Sequence, residues 1–306
     1  MLAAVCSSGT PVSSAAPVAV EGIRVEGTSR YELVEGARVH VTVEVGLTNL
    51  DPPQVVGRFL ESSVLDAFSV PVLAEAQGVR VTQDDAPRVS FVVVDLEPDL
   101  QYGAPARVVI EYDLAPQPPR SDSFVRINPA FVSFPLFAIG DPGLADVVVA
   151  LPDHLEVTFV GVQPSREIEG DQQVFRFDDL AEPDRFTTSL AGRDDDALVS
   201  ARLDVAGVAV TVRGWPGDQE WADFVSETLR DGIPTLEDLI GREWPAGDRL
   251  DVVESASPYL YGYSGWFRPA EGLIEIGDEL DGQVVLHELA HLWFNDRLFE
   301  GRWISE

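Results

Sequence analysis

Lysine is absent from this sequence: all 21 of its basic residues are arginine, and they face 52 acidic residues. The formal net charge of −31 would repel phosphate backbones and anionic lipid headgroups, which argues against nucleic acid or a membrane surface as a partner. The acidic residues are spread along the chain, a pattern typical of a solvated surface rather than an acidic binding patch. Cysteine occurs once, at Cys6, so an intramolecular disulfide is excluded and a metal site would need histidine and carboxylate ligands.

Long apolar runs are also missing, and we predict no segment that spans a membrane. Residues 1–20 carry no charged side chain, but they lack the basic start and long apolar stretch of a complete signal peptide. The run from Leu2 to Gly9 resembles the end of a lipoprotein signal with Cys6 as the lipidated residue, although Ala3 and Val5 depart from the usual pattern. Two expectations stay open: an extracytoplasmic protein, secreted or lipid-anchored at Cys6, or a cytoplasmic protein with a flexible tail.

The hydrophobic fraction of 45% over 306 residues predicts a packed core and about two domains. Between residues 22 and 213, short runs of alternating apolar and polar residues are separated by turn signals such as Asp141-Pro142-Gly143. We therefore predict a tail at 1–21 and an all-β domain at 22–213, built as a sandwich or a saddle-like sheet. Its predicted strands include Arg38–Val45, Val89–Val94, Ala106–Tyr112, Ala145–Leu151, Leu155–Val160, Gln173–Phe177, Leu198–Leu203 and Val208–Val212.

The pattern changes after Gly214. Apolar residues at helical spacing follow a helix-start signal at Gly217 to Glu220, and Ile233-Pro234 predicts the start of a second, short helix. Mixed strands and helices predict an α+β domain at 214–306, so the fold class of the whole chain is α+β. Its further predicted elements are strands at Leu250–Glu254 and Gly272–Gly277 and a helix at Gln283–Phe299.

The predicted last helix carries the run His287-Glu288-Leu289-Ala290-His291. Residues i and i+4 lie above one another on a helix, so both imidazoles can bind one ion at about 2.0–2.1 Å. Glu288 adjoins the first ligand, where its carboxylate can act as general base on a water that the ion activates. Because unpartnered polar groups are costly in apolar surroundings, the apolar flanks favour a true site over a chance match. We predict one Zn²⁺ held by His287 and His291, with Glu288 as the catalytic base.

The third zinc ligand separates the families of metallopeptidase. In metzincins a glycine would stand at position 294 and a histidine at 297, but this sequence has Phe294 and Arg297. A gluzincin needs a glutamate on a following helix, and Glu300 and Glu306 are the candidates.

The chain resembles the aminopeptidase N-like gluzincin metallopeptidases and their peptidase MA-like relatives. The resemblance rests on the run from His287 to Phe294 and on Trp303-Ile304-Ser305-Glu306, which is similar to the segment that supplies that family's third zinc ligand. It implies Glu306 as a metal ligand, a peptide or protein substrate, and a thermolysin-like α+β catalytic domain that starts within this chain. In that family a helical segment with an oxyanion-stabilising tyrosine follows, so we expect weak or absent catalysis from residues 1–306 alone.

The substrate-binding residues are less well determined. Gly272-Leu273-Ile274 fits the substrate-side strand of the family, but Pro269 stands where the glutamate that anchors the substrate's amino group would be. Glu271 is either its substitute or a surface turn residue. An aromatic cluster that includes Tyr263 either lines a substrate cleft or packs in the core. The leading hypothesis is zinc-dependent peptide-bond hydrolysis, with aminopeptidase-like specificity left open. The competing one is a non-catalytic extracytoplasmic interaction protein with an incomplete or degenerate zinc site.

Overall fold

The structure is a computed structural model that describes most of the chain from residue 22 to residue 294. The described ranges are 22–34, 38–50, 56–63, 79–83, 90–114, 116–121, 125–245, 249–256, 260 and 262–294, with 56–63, 79–83 and 90–99 described by their backbone alone. The predicted tail with Cys6 lies outside these residues, as do the predicted metal ligand Glu306 and its alternative Glu300. Within them, strands prevail and both α-helices follow residue 214, in agreement with the predicted β-rich N-terminal part. The thermolysin-like character of the second part stays a prediction.

Thirteen strands lie between residues 22 and 193 of the described chain. In chain order they are β1 (Ile23–Val34), β2 (Arg38–Asn49), β3 (Val56–Ser63), β4 (Val79–Gln83), β5 (Ser90–Leu100), β6 (Pro105–Leu114), β7 (Arg126–Asn128), β8 (Phe131–Leu136), β9 (Ala145–Pro152), β10 (Glu156–Val160), β11 (Ser165–Glu169), β12 (Gln172–Phe177) and β13 (Thr188–Arg193). They form a six-stranded sheet in the order β11-β12-β9-β1-β2-β6, a four-stranded sheet in the order β10-β13-β8-β7, and a three-stranded sheet in the order β3-β5-β4.

The six-stranded and four-stranded sheets share one hydrophobic core. Strand β2 shows why: its alternating residues Val39 and Val41 are fully buried while their neighbours are more exposed, as expected for a strand with one face against a core. From the same sheet, Tyr31 stacks on Phe134 of the four-stranded sheet with ring centroids 5.6 Å apart. The Tyr31 hydroxyl accepts the Phe137 N–H at 2.9 Å, so the buried phenol is satisfied. The two sheets therefore pack face to face, as in a sandwich.

A five-stranded sheet follows, with one helix on the crossover between its first parallel strands. Its order is β14-β15-β16-β18-β17, and β15, β16 and β18 run parallel while β14 and β17 pair antiparallel at the two ends. Strands β14 and β15 precede the predicted domain boundary at residue 214, yet both belong to this sheet. The elements are β14 (Val199–Val205), β15 (Val208–Gly214), α1 (Gln219–Ile240), β16 (Arg249–Ser255), β17 (Gly265–Arg268), β18 (Leu273–Gly277) and α2 (Gly282–Ala290).

Helix α1 is continuous where the sequence predicted two helices. It begins after Asp218, whose side chain accepts the Trp221 N–H, and it passes through Pro234 to end at Gly241 in the left-handed conformation. Proline usually breaks a helix, because it removes a hydrogen bond and crowds the preceding turn. Here Ile233, beside the proline, is fully buried in the core, so tertiary packing keeps the last turns helical. Of the helices that the structure describes, none has the length and apolar character needed to cross a membrane.

The five-stranded sheet contacts the preceding β-rich part through an apolar cluster and a charged one. Phe131 stacks on Trp215 with ring centroids 5.0 Å apart, at the centre of the apolar cluster. In the charged cluster, the Arg120 guanidinium binds both carboxylate oxygens of Asp218 at 2.7 and 3.0 Å. Asp278 accepts the Arg120 backbone N–H at 2.9 Å and Arg126 Nε at 3.0 Å. Arginines from one part thus neutralise buried carboxylates of the other.

Candidate metal centre

Helix α2 carries the predicted metal ligand His287 and the predicted base Glu288, and the predicted ligand His291 directly follows its last residue. Its first turn is capped by Asp281, whose carboxylate accepts the Gln283 N–H at 2.8 Å. Val285 and Leu289 are buried against the core of the five-stranded sheet, which fixes the opposite face of the helix toward the cleft. The helix ends at Ala290, before the predicted end at Phe299, which lies outside the described residues. His291 keeps helical backbone angles, φ −60° and ψ −18°, so its i, i+4 relation to His287 is retained.

The two imidazoles and the carboxylate come together as the motif predicts. Among the described residues, His287, Glu288 and His291 form the one group of three metal-ligating side chains whose donor atoms all lie within 4.8 Å of one another. The two imidazole rings are perpendicular, at 89°, with centroids 4.9 Å apart. Two nitrogens bound to one tetrahedral zinc would stand about 3.3 Å apart, so small side-chain rotations bring both onto a shared ion.

His291 is held in one orientation by two contacts. Its Nδ1 lies 3.1 Å from the Phe294 carbonyl oxygen, and a carbonyl can only accept, so Nδ1 carries the proton. That tautomer leaves the lone pair on Nε2, the nitrogen available to a metal ion. The ring of Phe267 lies parallel to the imidazole, at an interplanar angle of 2° and a centroid separation of 6.2 Å. The hydrogen bond therefore sets the position of the proton before any ion binds, and the Phe267 ring restrains the plane of the imidazole.

Glu288 is buried between the helix and strand β17. It is 8% exposed, and its carboxylate accepts the backbone N–H of Phe267. Gly265 leaves the space that the side chain fills, because a Cβ there would lie 2.6 Å from Glu288 Cγ. Burial raises the pKa of Glu288, opposed by the nearby His291 and His287 and by the Phe267 N–H. A carboxylate with a raised pKa is a stronger base, as proton abstraction from water requires.

An open cleft of about 330 Å³ lies beside this helix face. The predicted residue Tyr263 lines it together with His287 and Glu288, whereas Glu271, Gly272 and Leu273 do not. Leu273 is instead buried in the apolar cluster around Trp215, and Glu271 is exposed in the turn between β17 and β18. The remaining lining residues, which sequence analysis missed, are Ser264, Gly265, Asp281, Gln283 and Val284. Of these, Gly265 gave a signal, because a glycine inside a strand often marks the close approach of another group.

Comparison with known proteins finds similarity among solved structures. The sequence matches no protein-family model and no curated protein. One similar structure is a mutant M1 zinc metallopeptidase from Deinococcus radiodurans, with 15% identity and a TM-score of 0.36 over 89% of this chain and 65% of that one. Another is a mutant two-domain M1 zinc metallopeptidase bound to L-tryptophan, with 15% identity and a TM-score of 0.35 over 90% of this chain and 65% of that one. This chain therefore spans 65% of the length of each, and a likeness at this level assigns no residue of the site.

Proposed function

We propose that this protein hydrolyses peptide bonds with the help of one zinc ion. His287 and His291 are the proposed ligands and Glu288 the general base. The observation that carries the proposal is the placement of two imidazoles and a buried carboxylate within 4.8 Å of one another, beside an open cleft. Glu306 is proposed as the third ligand from the segment Trp303–Glu306 alone, since it lies outside the described residues.

The donor set suits zinc. Imidazole nitrogens and a carboxylate oxygen are ordinary ligands of a catalytic zinc ion, and such sites leave one position open. The partly exposed histidines meet this requirement, because the cleft reaches His287 from the solvent side. A bound zinc ion would polarise the scissile carbonyl and lower the pKa of the attacking water.

The residues of the chain supply the proton transfer and its geometry. The Phe267 N–H and the space left by Gly265 hold the Glu288 carboxylate beside both imidazoles. From that position it accepts a proton from the attacking water and can return it to the leaving amine. The Phe294 carbonyl keeps His291 in the tautomer that offers Nε2 to the ion. The arrangement leaves endo- and exo-cleavage open, so substrates with free and with blocked N-termini belong in the same assay.

The test compares the natural full-length gene product, here the wild type, with Glu288→Gln and with the exposed-acid control Glu279→Gln, each analysed for bound metal and for peptide hydrolysis. Glu288→Gln should keep one zinc ion and lose about 10²–10⁴-fold in kcat, the usual contribution of a general base. Glu279→Gln should resemble the wild type, because its side chain is exposed to solvent.

Two results would count against the proposal. A wild type that binds no zinc would refute the metal centre itself. A zinc-loaded wild type that is no more active than Glu288→Gln on the peptide panel would favour the non-catalytic interaction protein.

A further inference from the structure

Strand β17 holds the candidate site from one side. It lies at the edge of the five-stranded sheet and pairs with β18 in antiparallel register. Successive side chains of a strand point to opposite faces. Gly265 and Phe267 accordingly face α2, where they touch Glu288 and His291. Arg268 points to the opposite face of the sheet. A contact that restrains the Arg268 side chain therefore also restrains the backbone of β17, which carries the Phe267 N–H.

Arg268 is held by a buried carboxylate. Glu275 of β18 is 1% exposed, and its Oε2 forms an ion pair with Arg268 Nε at 2.9 Å. Its other oxygen, Oε1, forms an ion pair with Arg193. Arg193 is itself 4% exposed and lies in β13, in the four-stranded sheet of the preceding β-rich part. One carboxylate therefore joins an arginine of that sheet to an arginine of the strand beside the site.

Arg193 and Glu275, two of the three members, are buried, whereas the Arg268 side chain is 34% exposed, so burial restrains the connection mainly at those two. A charge removed from water must be paired, and a carboxylate that pairs both oxygens has little freedom to turn. Arg193 forms a further ion pair on its own side, with Asp195 at 2.5 Å. Arg268 directly follows Phe267, so a shift of Arg268 moves the backbone N–H that binds Glu288.

We propose that the chain Arg193–Glu275–Arg268 positions strand β17 and, through the Phe267 N–H, the Glu288 carboxylate. Arg268 is then a positioning residue, which acts on the reaction through another group. Its kinetic consequence rests on the proposed function, while its structural consequence does not. The β-rich part would thereby contribute to turnover although Arg193 is not among the residues that line the cleft.

The test uses the natural full-length gene product with Arg268→Met, Arg268→Lys and a control, Arg249→Met. Arg249 lies in β16 of the same sheet, where it forms an exposed ion pair with Asp251. Hydrogen exchange of residues 265–268, zinc content, kcat and KM are measured for each. For Arg268→Met we expect faster exchange and a kcat lower by about 10–100-fold, because a small misplacement of a catalytic group is costly. KM should change less than about threefold and zinc should stay bound. Arg268→Lys should recover part of the kcat, and Arg249→Met should match the wild type.

Each outcome decides the proposal. Unchanged exchange at residues 265–268 in Arg268→Met would overturn it, and so would faster exchange with an unchanged kcat. A kcat loss matched by an equal loss of zinc would show a general structural role and also overturn it. If Arg268→Met fails to fold, the exchange and kcat of Arg268→Lys decide in its place. If the zinc-loaded wild type proves inert, the proposed function fails, and the exchange result alone decides whether this chain of charges holds the strand.

Discussion

Glu254 provides the sharpest test of the charged cluster between the two parts of the chain. Its side chain is fully buried at the end of β16, and Oε2 accepts the Trp215 N–H at 2.6 Å. Burial, opposed by that N–H and reinforced by the charges of Asp218 and Asp278, raises the pKa of Glu254 from 4.5 to about 9. For Asp218, burial alone would raise the pKa, but Arg120 and Glu254 hold it below its ordinary value. Glu254 is therefore the member of the cluster that keeps its proton at neutral pH.

The sign of the pH effect follows from this difference. Between pH 4.5 and about 9 the folded protein keeps the proton on Glu254, whereas the unfolded chain releases it. Ionisation then favours the unfolded state, so the free energy of unfolding falls as pH rises through this window. Each pH unit lowers the free energy of unfolding by about 1.4 kcal/mol, so this energy falls by about 2.7 kcal/mol between pH 5.5 and 7.5. Glutamine cannot ionise, and its carbonyl oxygen can accept the same Trp215 N–H. Relative to the wild type, the free energy of unfolding of Glu254→Gln should therefore rise by about 2.7 kcal/mol between pH 5.5 and 7.5.

The assay is urea unfolding of both proteins at several pH values with chelator present, followed by tryptophan fluorescence. All 6 tryptophans lie at or after residue 215, so the signal reports on the part that contains Glu254. Other titrating groups are shared, and they cancel in the difference between the two proteins. Glu220→Gln is the matched control, because it removes a carboxylate that binds the same Arg120 from an exposed position. If the difference in free energy of unfolding between Glu254→Gln and the wild type changes by less than about 1 kcal/mol over two pH units, the pKa of Glu254 is not strongly raised.

Two further substitutions test other contacts. Gly265→Ala would place a Cβ 2.6 Å from Glu288 Cγ, so kcat should fall by about tenfold or more while zinc stays bound, as judged by steady-state kinetics and metal analysis. Its control is Gly46→Ala, where the atom nearest to a new Cβ is the Glu26 carbonyl oxygen at 3.7 Å; equal activity of the two variants would contradict the steric argument. Arg120→Lys loses the two-pronged contact with Asp218, so urea unfolding should show a loss of about 1–3 kcal/mol, and an unchanged midpoint would show that a point charge suffices.

Local patterns in the sequence predicted the local structure well. The alternation in Arg38–Val45 predicted strand β2, and the run from His287 to His291 predicted both the helix and the convergence of its polar groups. These predictions succeed because the periods of strand and helix are fixed by backbone geometry, so they can be recognised within a short window. The predicted break at Pro234 was wrong, because the burial of Ile233 depends on tertiary packing that local propensity does not contain.

Contacts between distant segments could not be predicted in the same way. The pairing of β15 with β16 joins residues on either side of a helix, and it extends the second sheet back across the predicted boundary. The support of Glu288 comes from the backbone N–H of Phe267, a group that every residue except proline carries and that no side-chain pattern marks. Glu254 and Glu275 look like ordinary strand residues in an acidic chain. Their burial depends on which strands become neighbours, and this is information about the whole fold.

The presence of arginine at these buried contacts has a physical reason. Guanidinium is less strongly hydrated than ammonium and presents several donors in a fixed plane, so it is the cation better suited to a buried carboxylate. Three carboxylates of the second part, Asp218, Glu275 and Asp278, meet arginines of the first part, namely Arg120, Arg193 and Arg126. Salt screens the mutual repulsion of exposed charges on a chain of net charge −31, whereas it screens buried pairs much less. Rising ionic strength therefore relieves the repulsion that opposes compaction and leaves in place the charged contacts between the two parts. Salt thus weakens the repulsion between exposed acidic groups far more than it weakens the buried ion pairs between the two parts. A strongly acidic surface is therefore compatible with a contact that depends on charge.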